Sequence, residues 1–74
     1  SLHTLVQMVD NGLGLTIIPE MAVKAGLLNG TDVQARPLNP EHASREIALL
    51  WRTNSPRREE FELLADALRD LHAA

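Results

Sequence analysis

Cysteine is absent from the 74 residues. That excludes a disulfide, a thiolate-held metal and thiol redox chemistry within this chain. Aromatic side chains are scarce as well: with one Phe, one Trp and no Tyr, the interior must be filled by Leu, Ile, Val and Ala. His3, His42 and His72 stand singly, without ligand spacing, and read as solvated or locally bonded side chains. No metal and no cofactor is expected. No apolar run approaches the roughly 20 residues that a membrane-spanning helix requires, and no charged-then-apolar signal segment opens the sequence. No membrane partner is expected, and a cytoplasmic location is. Basic charge is also short, since seven Lys and Arg face ten Asp and Glu for a net charge of −3. A grip on a phosphate backbone needs clustered Lys and Arg, so this stretch is not expected to contact DNA itself. A domain of this size removes only about 60% of its unfolded surface from water. The chain therefore reads as one small domain, or a piece of a larger one, with a thin core.

What is present is strongly patterned. Leu2, Leu5, Val6 and Val9 fall at i, i+3, i+4 and i+7, the spacing of one helical face, with Ser1 in the N-cap position. Asn11-Gly12 supplies a helix stop, and Gly12 and Gly14 bracket Leu13 in a turn that swings the chain into Leu15-Thr16-Ile17-Ile18. That apolar, β-branched run is a strand, and Pro19 ends it. At Gly14 the chain reverses from helix to strand so sharply that a side chain there should be destabilising. Residues 20–28 read as a short helix with Met21, Ala22, Ala25 and Leu28 on one side, ended by Asn29-Gly30. Val33-Gln34-Ala35-Arg36 alternates as a half-buried strand, so the unit is strand, helix, strand, with the two strands parallel.

Pro37, Asn39, Pro40 and Ser44 make the most linker-like stretch. From Ile47 to Trp51 every residue is apolar, as in a strand covered on both faces. Ser55 is a candidate N-cap with Pro56 at the first helical position, and the last helix carries a stripe of Phe61, Leu64, Ala65, Leu68 and Leu71. The order helix-strand-helix-strand-strand-helix defines an α/β fold.

No catalytic constellation is visible, and no enzyme is expected. Ser1, Ser44 and Ser55 read as caps or turn residues, and Gly12-Leu13-Gly14 has a helix before it and a strand after it, the reverse of a nucleotide-binding glycine loop. Three features carry functional weight. The turn from Asn11 to Gly14, followed by Thr16, either presents backbone N–H groups and a hydroxyl to a small polar ligand or is purely structural. Arg45 and Arg52, which flank the buried strand, either clamp an anion or form ordinary surface ion pairs. The helix over residues 2–10 is apolar on more than one side, so it is either buried deeply in a parent domain or meets a second subunit.

The pattern Ser-Leu-x-Thr-Leu-x-x-Met-Val-x-x-Gly-x-Gly-Leu-Thr-Ile-Ile-Pro, from Ser1 to Pro19, closely resembles the effector-binding domain of LysR-type transcriptional regulators. The likeness continues through Trp51-Arg52 and Asn54-Ser55-Pro56 into the last helix, and it is nearest to the hydrogen-peroxide-sensing branch. The resemblance implies a two-lobed fold of the periplasmic-binding-protein (type II) kind. Residues 1–39 would be the closing part of the second lobe, 40–44 a hinge passage, and 45–74 the returning strand and helix of the first. It implies a small-molecule effector between the lobes, with Gly12, Gly14, Thr16 and Arg45 as cleft candidates. It implies DNA binding only through a missing N-terminal domain, and a homo-oligomer in which Leu2, His3, Val6, Val9 and Asp10 are interface candidates. Lacking cysteine, the chain cannot itself supply the branch's thiol chemistry. A lobe of a solute-binding protein is the alternative. Either way, two half-lobes with unpaired strand edges are expected to self-associate by exchanging the last strand and helix.

Overall fold

The computed structural model describes residues 1–39 and 46–73. Six elements follow in the expected order: α1 (Leu2–Asp10), β1 (Leu15–Pro19), α2 (Glu20–Lys24), β2 (Val33–Pro37), β3 (Ile47–Arg52) and α3 (Arg58–Ala73). The Ser1 hydroxyl caps α1 by accepting the Thr4 N–H at 3.2 Å. At the other end Gly12 takes a φ of 81°, which lets its N–H reach the Val9 carbonyl and lets the Leu13 N–H reach the Met8 carbonyl. This paired closure satisfies carbonyls that the last turn would otherwise leave open.

α2 is shorter than the expected 20–28. Gly26, at φ 98°, repeats the same closure: its N–H bonds to the Val23 carbonyl while the Leu27 N–H bonds to that of Ala22. The helix therefore stops before Asn29-Gly30 and gives way to turns. α3 also starts later than expected. Ser55 accepts the Arg57 N–H on its hydroxyl at 3.1 Å, so Ser55 to Arg57 form a turn ahead of the helix.

Among the described residues the sheet has the order β1-β3-β2, with β3 antiparallel to both neighbours. β1 and β2 thus run parallel to each other, as the strand-helix-strand unit implied, but β3 lies between them. Pro19 and Pro37 sit on the two outer strands, where a missing N–H costs no ladder bond. The expected linker over 40–44 lies outside the described residues. The residues around it are tied together: the Leu38 N–H bonds to the Ile47 carbonyl at 3.0 Å, and the Ile47 N–H bonds to Asn39 Oδ1.

β3 is the centre of the molecule, with Ala48, Leu49, Leu50 and Trp51 all fully buried. Strand alternation divides them between two cores. Ala48 and Leu50 pack with Val6, Val9, Ile18 and Val33 beneath α1 and α2, whereas Leu49 and Trp51 pack with Leu38, Phe61 and Ala65 beneath α3. The result is three layers: helices, sheet, helix. The α3 stripe is narrower than its spacing suggested. Phe61 and Ala65 are buried and Leu68 packs beside them, while Leu64 and Leu71 are exposed. A single narrow sheet gives a long helix only one line of contact.

Because β3 finds both of its neighbours within its own chain, exchange with a second copy is not needed to pair its edges.

Candidate functional site

The antiparallel register sets Leu15 opposite Trp51, which brings the start of β1 and the end of β3 to the same end of the sheet. Two turns meet there: Gly12-Leu13-Gly14 leading into β1, and Asn54-Ser55-Pro56 leading out of β3. Between them lies a cleft of about 350 Å³, walled by those turns together with Arg52, Arg57 and Phe61.

Of the four residues expected to form an effector cleft, Gly12 and Gly14 line this cavity. Thr16 does not; alternation along β1 puts it on the same face as Ile18, toward α1 and α2. Arg45 lies outside the described residues. The turn does not offer the ring of free N–H groups that its glycines suggested, because the N–H groups of Asn11, Gly12 and Leu13 all donate to α1 carbonyls. Polar recognition in the cleft falls to side chains.

Arg52 is the central one. Its Nη2 is 3.9 Å from Asp32 Oδ2, and its Nε is buried with no hydrogen-bond partner among the described residues. Asp32 is held from elsewhere: its N–H bonds to Asp10 Oδ1 at 3.0 Å, and its carbonyl accepts the Thr53 N–H at 2.8 Å. On the opposite wall Arg57 lies over the Phe61 ring at 5.2 Å and bonds through Nε to Glu60 at 3.2 Å. The lining hydroxyl, Ser55, is engaged by the Arg57 backbone. Leu13, Ser55, Pro56, Arg57 and Phe61 were not singled out as cleft residues in the sequence. Leu13 belongs to the glycine turn itself, and only the register between β1 and β3 places the other four opposite it.

The interface candidates divide. Val6 and Val9, expected at a subunit contact, are buried in the chain's own core, because their face of α1 meets Ala48 and Leu50. Asp10 is engaged with the Asp32 backbone. Leu2 and His3 are exposed, and they share α1 with two further exposed apolar side chains, Leu5 and Met8. Among the described residues, no helix is long and apolar enough to cross a membrane, and no group of three His, Cys, Asp or Glu could hold a metal ion.

The α/β layers carry a small cleft at the end of the sheet, and similarity to known proteins shows the family. Residues 1–73 match the family model described as the LysR substrate binding domain, and the chain belongs to that family. Its fold is thereby of the type II periplasmic-binding-protein kind. The HTH-type transcriptional regulator EstR of Acinetobacter baylyi is 36% identical over 73 residues, which are 99% of this chain and 24% of that protein. A probable hydrogen peroxide-inducible genes activator of Streptomyces viridosporus is 43% identical over 70 residues, 93% of this chain and 22% of that protein. The DNA-binding transcriptional dual regulator OxyR of Escherichia coli K12 is 39% identical over 69 residues, again 93% and 22%. The chain thus spans about a quarter of the length of the curated relatives it matches. No solved structure matches it.

Proposed function

We propose that the chain is the effector-sensing and dimerisation segment of a LysR-type transcriptional regulator and is not an enzyme. The observation that carries this reading is the family match across residues 1–73. The cleft at the sheet end supplies a place for a small effector, and the exposed Leu2, Leu5 and Met8 of α1 supply an apolar surface for a second subunit. Residues 1–39 would belong to the second lobe, and the segment after the 40–44 hinge would return to the first. β3 follows that stretch yet pairs with both β1 and β2 of residues 1–39, so under this division β3 itself would be the crossing strand and α3 the part returned to the first lobe. DNA contact falls to a domain outside these residues, in the cytoplasm. Relatives carry the name of peroxide-inducible activators, and an oxidative-stress role is the branch of this proposal they favour. Should the regulator respond to peroxide, the reacting thiol must lie outside these residues, which contain no cysteine.

The test is to read the coding sequence upstream of Ser1 and assay the whole product on DNA. A helix-turn-helix and an operator complex whose affinity or footprint responds to a small molecule are expected. A secretion signal with no helix-turn-helix would overturn the reading in favour of a solute-binding protein.

A further inference from the structure

The cleft carries a charge that its own walls do not cancel. Among the described residues two arginines line it and no acidic side chain does, in a chain where Asp and Glu outnumber Lys and Arg by ten to seven. A concavity walled by one sign of charge concentrates potential that attracts the other. With the N–H groups of Asn11, Gly12 and Leu13 committed to α1, the guanidinium groups of Arg52 and Arg57 are the charged donors on the cleft wall, and Asn54 adds a neutral amide beside them. Neither is saturated. Arg52 stands 3.9 Å from the Asp32 carboxylate, beyond hydrogen-bond range, and Arg57 commits Nε alone to Glu60. A planar fork of donors fits a carboxylate in two-point contact. Beside the polar Asn54 and Ser55, the wall carries an apolar part formed by Leu13, Pro56 and Phe61, and the volume of about 350 Å³ lies at the small end of ligand pockets.

We propose that this cleft binds a small monocarboxylate with an apolar body, its carboxylate on Arg52 and its body against Leu13 and Phe61. The inference rests on the effector-binding reading above and names the chemistry of the effector. Asp32 is then the resident competitor. Its backbone is fixed by Asp10 and Thr53, so its carboxylate can turn away from Arg52 without the loop moving.

Benzoate and hexanoate, one flat and one flexible, would be titrated into the isotope-labelled chain and followed by backbone amide shifts. Benzamide serves as the neutral counterpart and inorganic phosphate as the anion without a body. Saturable shifts are expected at Gly12, Gly14 and Ser55 with at least one carboxylate, and binding at least about tenfold weaker with benzamide and with phosphate. Arg52→Gln should weaken carboxylate binding by about tenfold or more, and Asp32→Asn should tighten it severalfold. The proposal is overturned if neither carboxylate gives saturable shifts at the cleft, if benzamide or phosphate binds as well, or if Arg52→Gln binds unchanged. Should Arg52→Gln prove unfolded by circular dichroism, Asp32→Asn decides, and unchanged affinity in that variant overturns the proposal. The readout is binding to this chain, so its failure leaves the operator test standing, and failure on the operator leaves the cleft chemistry standing.

Discussion

At the scale of single residues, Gly14 and Trp51 show two different ways in which a side chain is dictated. Gly14 has a φ of 115°, yet a Cβ built there would meet nothing within 4 Å. The demand for glycine is conformational rather than steric. Gly14→Ala should therefore destabilise the fold by about 1–3 kcal/mol despite the open space. Unchanged thermal melting of the variant would remove that argument. Trp51 is dictated by volume. It is fully buried, lies 6.2 Å from the Phe61 ring with a tilt of 52°, and has the Arg36 guanidinium 5.7 Å from its own ring. Its Nε1, however, has no hydrogen-bond partner among the described residues. An unsatisfied buried donor costs about 1–3 kcal/mol, and Phe would remove that cost while keeping most of the volume. Trp51→Phe is thus expected to lose little stability in urea unfolding, whereas Trp51→Ala should lose about 3–5 kcal/mol. Equal losses for the two variants would show that the indole nitrogen is not a burden.

At the scale of elements, α1 was the most legible part of the sequence, because its cap, its apolar spacing and its glycine stop all point to the same helix. Its orientation was not legible. Leu2, Leu5, Val6 and Val9 share one face by spacing, but the fold turns only Val6 and Val9 fully inward and leaves Leu2, Leu5 and Met8 partly in water. Which side faces in depends on where β3 passes beneath the helix, and that is set by pairing between residues far apart in the chain. The early end of α2 could have been read from Gly26, which follows Ala25 as a helix-stopping glycine does. The cleft could not, since its two turns are about forty residues apart and meet only through the Leu15 and Trp51 register. The orientation of α1 gives a paired prediction. Val6→Asp should unfold the chain, because it buries an unpaired carboxylate at a cost of several kcal/mol. Leu5→Asp should leave the far-ultraviolet spectrum and the melting temperature close to those of the parent. The reverse ranking would mean that α1 is rotated from the orientation described here.

At the scale of the whole molecule, the remaining question is how a chain with two strand edges left open among the described residues and an apolar helix surface meets its own copies. Exchange of β3 and α3 was expected from the idea that each half lacks neighbours, but one chain already supplies both strands that flank β3. Withdrawing β3 would expose Ala48, Leu49, Leu50 and Trp51 together and empty both cores, which amounts to unfolding the molecule. Side-by-side association through Leu2, Leu5 and Met8 needs no such step. The two routes differ in rate more than in affinity. Swapped dimers trade subunits no faster than the chain unfolds, whereas docked dimers trade them at the speed of ordinary dissociation. We expect concentration-dependent association in sedimentation, weakened when Leu5 and Met8 are both replaced by Lys. We also expect that mixing isotopically distinct preparations produces mixed dimers much faster than the unfolding rate measured by denaturant jump. Mixed dimers appearing only at the unfolding rate would instead establish exchange of the last strand and helix. Association unaffected by the double Lys variant would move the contact from α1 to the open edges of β1 or β2.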